Sequence, residues 1–567
     1  MFPKQDLSYW PISLNNVLSR IVSKVLANRL KKILPHIISM SQSAFLPDRL
    51  ITNNVLVAFE TMHCINQRSK REEGLMAIKL DMSKAFDWIE WSCLERIMEK
   101  LGFHDRWISL MMMCIKSVSY SVLLNGEPKG LIHLTRGIRK GDSILPYLFL
   151  LCGKGLLGML KREESLGRIN GISVCRRAPR ISHLLLANDS LIFCRANMTE
   201  CSNIWKILRE YEMASGQKMN REKTSLFFSK NTTMEVQDSI KRLFKAQVIK
   251  QHEQYVGLSS LVSKGKKKAF NKIKDQVGKK IAGWKGKLLS YAGRETLIKA
   301  IAQATLTYSM SCFKLSDSLC KELEAMISRF WWGQKKDERK LPLIAWDKLC
   351  RPKADEGMGF KDLKAFNLSL LAKQGWRLLQ NQNTLFHQVF KAKYFEHSTF
   401  LRAELGNQPS FAWKSIMAAK EIVVEGARWN IGNSSKVRIW GDKWMPTPTH
   451  SKPISPRKNL HEGNQVSCLI DQTLHTWKEE IIWNMFLPHE AETILRIPLS
   501  SFPTEDKLVW SATTNGIFSV HSAYRVVQRI LDNKTRGQFG QHNNDRLMKV
   551  YLEPKMPMQT PKFRLAG

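Results

Sequence analysis

The chain has 567 residues and a formal net charge of +38, from 88 Lys and Arg against 50 Asp and Glu. This length predicts several domains, and this charge predicts a polyanionic partner, most often a nucleic acid. The 11 cysteines form no C-x-x-C pair, which argues against zinc and against a secreted disulfide framework. Together with the lack of any membrane-length apolar run, this predicts an intracellular protein, nuclear or cytoplasmic, with no membrane partner.

Helices and strands alternate over residues 1–245, a pattern that predicts one α+β domain. Its predicted elements in chain order are helices 12–35 and 53–68, strand 76–81, helix 84–101, a hairpin at 120–134 around Asn125-Gly126, helix 144–161, a hairpin at 181–194, and helix 198–215 ended by Gly216. Basic helices are expected in the range 246–340, a Trp-rich helical and irregular region at 341–531, and an irregular tail at 532–567.

Two acidic strand ends within the first domain suggest chemistry. The apolar strand at 76–81 ends in Asp81, and a later apolar hairpin carries Asn188 and Asp189 at its tip. Magnesium prefers hard oxygen ligands, and two such ions stabilise the attacking and leaving oxygens of a phosphoryl transfer. The alternative interpretations are a helix N-cap at Asp81 and a plain turn at 188–189.

Three sequence blocks in chain order carry a family resemblance. They are Lys79-Leu80-Asp81-Met82-Ser83-Lys84-Ala85-Phe86-Asp87, Arg136-Gly137-Ile138-Arg139-Lys140-Gly141-Asp142-Ser143-Ile144-Leu145-Pro146 and Leu186-Ala187-Asn188-Asp189. Supporting blocks include Gln42-Ser43-Ala44-Phe45, Gly216-Gln217-Lys218-Met219-Asn220-Arg221-Glu222-Lys223-Thr224 and Leu371-Ala372-Lys373-Gln374. Together they resemble the reverse transcriptases of non-LTR, LINE-type retrotransposons, in the form common in plant genomes.

The resemblance implies a right-hand polymerase fold, with fingers and palm over 1–245 and a thumb over 246–340. It implies magnesium-dependent extension of a DNA primer on an RNA template, with deoxynucleoside triphosphates as substrates. Asp81, Asn188 and Asp189 match the catalytic positions, and Asp81 and Asp189 would be the metal ligands. Phe86 matches the residue whose ring crowds the sugar 2′ carbon and so selects deoxynucleotides, although an ordinary core Phe is the alternative.

Further positions match nucleotide-binding and nucleic-acid-binding sites of the family. Arg139, Lys140 and Gly141 match the block beside the template–nucleotide pair, where glycine lets the backbone approach closely; a glycine turn before the next helix is the alternative. Arg49 and Lys79 are candidates for triphosphate contact, or else solvated surface charges. The basic thumb would follow the primer–template backbone through phosphate contacts, and its candidate residues are Lys266, Lys267, Lys268, Lys272, Trp284, Lys285 and Lys287.

The chain also departs from the family pattern at chemically important positions. Asn188 and Asn53 stand where Asp is usual, Trp88 where Arg is usual, Lys154 where Glu is usual and Ser143 where Pro is usual. Asn188 removes one negative charge from a site for two divalent cations, so we expect weak magnesium binding and little polymerase activity. These changes predict a degenerate copy, and the lack of the family's endonuclease domain and of its Cys/His zinc module predicts a truncated one. A non-catalytic nucleic-acid-binding protein on the same fold and an unexpressed pseudogene product are the alternatives.

Overall fold

The computed structural model describes residues 16–47, 49–68, 72–138, 141–186, 189–249, 266–285, 289–333, 341–447, 451–456, 464–471, 473–500 and 504–542. The chain divides into two compact units, Met1–Lys420 and Glu421–Gly567. The boundaries predicted at 245 and 340 fall inside the first unit and stay predictions.

The first unit contains a six-stranded sheet with β1 near its centre. In chain order the strands described in this unit are β1 (Leu75–Ser83), β2 (Ser119–Leu124), β3 (Glu127–His133), β4 (His183–Leu186), β5 (Asp189–Arg195), β6 (Lys218–Met219), β7 (Ser225–Phe228) and β8 (Gln247–Val248). The sheet has the order β4-β5-β1-β7-β8, with β6 paired to the end of β1, while β2 and β3 form a separate hairpin. Residues 75–78 of β1 are all buried, as expected for a central strand covered on both faces.

Helices surround this sheet and continue through the rest of the first unit. They are α1 (Val17–Ile37), α2 (Ile51–Gln67), α3 (Trp91–Lys100), α4 (Asp105–Lys116), α5 (Leu145–Ser165), α6 (Met198–Ser215), α7 (Met234–Phe244), α8 (Lys266–Lys285), α9 (Tyr291–Leu297), α10 (Gln303–Cys312), α11 (Asp317–Trp331), α12 (Trp346–Leu349), α13 (Leu363–Gln380), α14 (Leu385–Tyr394) and α15 (Phe411–Met417), with a π-helical segment at Ile298–Ala302 between α9 and α10. One large apolar core joins the sheet to α1 and α3–α7, with Leu148, Leu151 and Ile204 completely buried.

A buried polar cluster connects α2 to α14 and the start of α15. The Glu60 carboxylate is fully buried and accepts hydrogen bonds from Lys393 Nζ at 2.6 Å, Tyr394 Oη at 2.7 Å and Ser410 Oγ at 2.6 Å. A buried carboxylate is stable only when it is paired and hydrogen-bonded in this way. The cluster therefore links a helix of the predicted fingers to residues far along the chain.

The second unit consists of short elements around a tryptophan-rich core. They are α16 (Lys420–Gly426), β9 (Ala427–Asn430), β10 (Ile470–Asp471), β11 (Thr476–Trp477), α17 (Glu479–Met485), α18 (Pro488–Leu495), β12 (Lys507–Trp510) and α19 (Val520–His542). Strands β9 and β12 pair, as do β10 and β11. Trp444 and Trp510 are almost completely buried, so tryptophans of the predicted Trp-rich region serve as core residues of this unit.

Two predicted elements differ from the structure. The helix expected from residue 84 begins only at Trp91, because Lys84 adopts a left-handed conformation (φ 45°) and the chain turns there. The tail predicted to be irregular from residue 532 is helical at its start, because α19 continues to His542. Helix α6 ends at Gly216 in the left-handed conformation (φ 73°), as predicted. Among the described residues, no helix combines the length and apolar character needed to cross a membrane.

Candidate active site

The register of the central sheet brings two carboxylates together. Strands β1 and β5 are antiparallel, and their last pair in the register is Asp81 opposite Asp189. Directly opposed residues of an antiparallel pair have side chains about 5 Å apart at Cβ and on the same face. The side chain of Asp81 is 16% exposed, so the pair is largely shielded from solvent but remains accessible. Asn188, the third predicted catalytic position, lies outside the described residues.

The surroundings of Asp189 raise its pKa. Burial is the main cause, and the neighbouring Asp81 carboxylate adds to it, whereas Lys79 and Lys223 act in the opposite direction. Two opposed carboxylates that share a shielded site favour the uptake of positive charge, because a cation relieves both the repulsion and the desolvation. This strand end therefore has the electrostatic character expected of a cation site.

Lys223 is a charged neighbour that the sequence blocks contained without a stated role. Its Nζ lies 3.9 Å from Oδ2 of Asp81. The loop that carries it is held against β1, because the backbone N–H of Asn220 donates to the carbonyl oxygen of Asp81 at 2.8 Å. The second lysine near the carboxylates, Lys79, lies on β1 two residues before Asp81 and is partly exposed, so it shares the face of the carboxylates.

Phe86 lies in the turn that follows β1. It is partly buried, and its ring packs on Phe149 of α5 with centroids 4.7 Å apart. Its carbonyl oxygen accepts a hydrogen bond from the N–H of Ile138 at 2.9 Å. The ring therefore packs partly into the core and stays partly exposed, and its role in sugar selection stays a prediction.

The glycine loop that contains Gly137 and Gly141 lies against the same turn. Gly137 has φ +86°, its N–H donates to Ile89 O at 2.7 Å, and a Cβ there would lie 2.6 Å from the carbonyl oxygen of Asp87. Gly141 has φ +92°. Glycine is thus needed at 137 for both conformation and close approach. Arg139 and Lys140 lie outside the described residues.

Trp88 occupies a position in which a cation is usual in the resembling family. Two cations contact its ring: the Arg136 guanidinium lies 4.4 Å and the Lys218 Nζ 4.7 Å from the ring centroid. Glu90 lies 3.6 Å from Arg136. An Arg at 88 would add a third positive charge here, whereas the aromatic face attracts both cations.

Comparison with known proteins identifies the family of this chain. The profile of the family described as reverse transcriptase (RNA-dependent DNA polymerase) matches residues 2–259. An uncharacterized mitochondrial protein of Arabidopsis thaliana is 39% identical over 149 residues, which cover 26% of this chain and 97% of that protein. The chain belongs to the reverse transcriptase family.

Two other relatives are longer proteins. A putative ribonuclease H protein of Arabidopsis thaliana is 30% identical over 273 residues, 46% of this chain and 43% of that protein. A Pol polyprotein from the type-1 retrotransposable element R2 of Popillia japonica is 22% identical over 205 residues, 36% of this chain and 28% of that protein. The reverse transcriptase chain thus spans less than half the length of either. The right-hand polymerase fold expected of the family fits the mixed sheet and helices described here.

Reverse transcriptases use divalent metal ions, which prefer hard oxygen ligands. Asp81 and Asp189 supply hard anionic oxygens, and Asn188, whose side chain carries an amide oxygen, precedes Asp189 in the sequence. Among the described residues there is no group of three or more His, Cys, Asp or Glu side chains that could hold a metal ion. These oxygens fit a divalent cation. Two carboxylates are nevertheless few for a site that is to hold two such ions.

Arg49 has a different role from the predicted triphosphate contact. Its guanidinium donates to the backbone carbonyl oxygens of Gln42 at 2.9 Å, Ile38 at 2.9 Å and Pro35 at 3.2 Å, and also to that of Ser39. Burial lowers the pKa of the group. Most of its donors are thus used to cap the C-terminal end of α1, and the expectation of a nucleotide contact is corrected to a structural role.

The predicted nucleic-acid-binding residues between 266 and 287 lie in α8 or just after it. The Trp284 ring packs on Phe330 of α11, with centroids 5.6 Å apart. It therefore helps to attach α8 to α11, and because Trp284 is only partly buried, its role in nucleic-acid binding stays a prediction. Lys272 is exposed. The side chains of Lys266, Lys267, Lys268 and Lys285, and the whole of Lys287, lie outside the described residues.

Proposed function

We propose that this chain is the polymerase region of a retrotransposon reverse transcriptase of the non-LTR type, which extends a DNA primer on an RNA template inside the cell. The observation that carries the proposal is the opposition of Asp81 and Asp189 at the end of β1 and β5. The match of residues 2–259 to the reverse transcriptase family and the likeness to an R2 Pol polyprotein support the same reaction.

Asp81 and Asp189 would hold two magnesium ions through carboxylate oxygens, with the amide oxygen of Asn188 as a weaker ligand. When bound, these ions lower the barrier to attack of the primer 3′ hydroxyl on the α-phosphate and stabilise the leaving pyrophosphate. Lys79 and Lys223 would attract the triphosphate and offset its negative charge. The remaining contribution of the chain is positioning, which supplies most of the rate in phosphoryl transfer.

The nucleotide would lie between the carboxylates and the turn at Phe86. The Phe86 ring would exclude a ribose 2′ hydroxyl, while Gly141, with Arg139 and Lys140, would border the base pair between template and nucleotide. The exposed Lys272 of α8, together with the neighbouring predicted lysines, would contact the phosphate backbone of the primer–template. Such contacts predict binding that weakens steeply with salt.

Asn188 would make this copy a slow enzyme. An amide oxygen carries no full charge, so the site holds its cations less tightly than a site with three carboxylates. The loss of one such ligand corresponds to at least about a hundredfold in rate, or about 2.7 kcal/mol of barrier. The low activity would then follow from one side chain and not from a different fold.

Primer extension with the full chain tests the proposal. The native chain, an Asn188→Asp form and an Asn188→Asp form that also carries Asp81→Asn are compared on an RNA template with a DNA primer, with Mg²⁺ and dNTPs. We expect weak extension by the first, at least about a hundredfold faster extension by the second, and none by the third. Tight primer–template binding without extension by Asn188→Asp would instead support a non-catalytic nucleic-acid-binding protein.

A further inference from the structure

A buried glutamine lies directly beneath the turn that carries Phe86. Gln217 follows the Gly216 cap of α6 and is only 2% exposed. Its Nε2 donates to the carbonyl oxygen of Ala85 at 2.7 Å, and its own N–H donates to Ser215 Oγ at 3.2 Å. Because a backbone carbonyl can only accept, the nitrogen end of the Gln217 amide must face Ala85.

A buried tyrosine fixes that orientation from the other side. The hydroxyl of Tyr211, on α6, donates to Oε1 of Gln217 and lies 3.3 Å from the carbonyl oxygen of Cys152. Burial raises the pKa of Tyr211 well above its ordinary value, so the hydroxyl keeps its proton. Both ends of the Gln217 amide therefore have defined partners, and the amide cannot rotate without leaving a buried group unsatisfied.

The two peptide groups that flank Phe86 are thus held from two directions. Gln217 holds the carbonyl of Ala85, and the Ile138 N–H holds the carbonyl of Phe86 at 2.9 Å. The ring itself has one close aromatic neighbour among the described residues, Phe149. The backbone on both sides of Phe86 is consequently held by two hydrogen bonds, and one of these comes from the side-chain amide of Gln217.

We propose that Gln217, oriented by Tyr211, is a positioning residue that fixes Phe86 and thereby sets the preference for deoxyribose over ribose. This inference rests on the proposed polymerase function. The side chain touches no substrate and acts through the Ala85–Phe86 peptide. Substitution should therefore change which sugar is accepted more than the rate at which deoxynucleotides are joined.

The experiment measures dNTP and rNTP incorporation separately in the full-length Asn188→Asp form. Gln217→Met keeps the length of the side chain but removes the donor to Ala85. We expect the ratio of kcat/KM for dNTP to that for rNTP to fall about three- to tenfold, the effect of one neutral hydrogen bond. Most of the change should come from a lower KM for rNTP, with the dNTP kcat within about twofold of the parent.

Two further variants make the result interpretable. Gln237→Met is the matched control, since Gln237 Nε2 donates to the Thr232 carbonyl at 2.9 Å away from the site, and it should leave the ratio unchanged. Tyr211→Phe removes one hydroxyl and should lower the dNTP-to-rNTP ratio by a smaller factor than Gln217→Met does. If Gln217→Met does not fold, Tyr211→Phe alone tests the proposal.

The outcomes separate the two proposals. Extension at an unchanged sugar ratio in both Gln217→Met and Tyr211→Phe overturns the positioning role and leaves the polymerase function standing. Failure of the Asn188→Asp form to extend with either sugar overturns the polymerase function, and the role in sugar selection falls with it. If the dNTP-to-rNTP ratio of kcat/KM falls by the same factor in Gln237→Met, the cause is a general loss of stability. That result also overturns the positioning role.

Discussion

A buried arginine that has no negatively charged partner in the described part of the chain makes Asn53→Asp an informative substitution. Arg377, on α13, is 8% exposed, and its Nη1 donates to the side-chain oxygens of Asn53 and Gln374. Its Nη2 is buried with no hydrogen-bond partner among the described residues. Asn53, on α2, stands where the family usually has Asp. An Asp there would place a carboxylate at hydrogen-bond distance from this isolated buried cation.

The size of the effect follows from the desolvation of Arg377. Burial lowers its pKa to about 10, which corresponds to roughly 3 kcal/mol of destabilisation at neutral pH. A carboxylate at position 53 would offset most of this, but its own desolvation opposes part of the gain. We expect Asn53→Asp to raise the free energy of unfolding by about 1–2 kcal/mol at pH 7.

The pH dependence gives a second check on the cause. Arg377 would depress the pKa of an Asp at position 53 in the folded chain. The added stability should therefore be fully present above about pH 4, the unfolded pKa of Asp, and should disappear as the pH falls through the lower folded value. Urea denaturation at a series of pH values measures both the size and the pH range of the effect.

The neighbouring asparagine provides a control with the opposite expected sign. Asn54 Nδ2 donates to the carbonyl oxygens of Ser41 at 2.7 Å and Leu185 at 2.8 Å. Asn54→Asp would place a carboxylate against two carbonyls and should destabilise the chain by about 3 kcal/mol or more. A chain that Asn53→Asp leaves unchanged or destabilises, while Asn54→Asp behaves as expected, would refute the reasoning about Arg377.

Three other substitutions or conditions test separate features. Gly137→Ala should destabilise the chain by about 2–4 kcal/mol in a thermal unfolding assay. The added Cβ would lie 2.6 Å from the carbonyl oxygen of Asp87, and the backbone there is left-handed. Gly167→Ala is the control, because Gly167 has a similar φ but open space around it, and it should cost only about 1 kcal/mol. Glu60→Gln should destabilise by about 3–5 kcal/mol in urea, since it removes the charge of a fully buried carboxylate that pairs with the partly buried Lys393, and a loss below about 1 kcal/mol would contradict that pairing. The pKa of Asp189 is raised, so its carboxylate takes up a proton at a higher pH than an ordinary Asp does. Mn²⁺ affinity, measured by calorimetry with the native chain, should therefore begin to weaken at a higher pH as the solution is acidified. An affinity that does not change with pH would argue against Asp189 as a ligand.

Much of the first unit could be predicted from local sequence signals. The run of apolar residues before Asp81 predicted a buried strand, Asn125-Gly126 predicted a two-residue hairpin turn, and Gly216 predicted a helix end in the left-handed conformation. Each of these depends on residues close together in the chain. The turn after β1 was missed, because a left-handed Lys84 has no sequence signature comparable to glycine.

The candidate site was predictable in part. The acidic strand ends and the ordered blocks pointed to Asp81 and Asp189, and the structure places these two residues opposite each other. Their roles remain proposals, as do those of the positions outside the described residues. Neither Lys223 beside Asp81 nor Gln217 beneath Phe86 was assigned a role, because both contacts join segments far apart in the sequence.

The sequence by itself determined the reverse transcriptase family, the alternation of helices and strands and the strong positive charge, since these depend on residue type and order. Only the tertiary structure decided that Arg49 caps a helix, that Trp284 packs on Phe330 and that Arg377 is buried beside a neutral asparagine. The physical reason is that the role of a long polar or aromatic side chain depends on whether water or protein surrounds it. Burial is a property of the folded chain and is not encoded in the neighbouring residues alone.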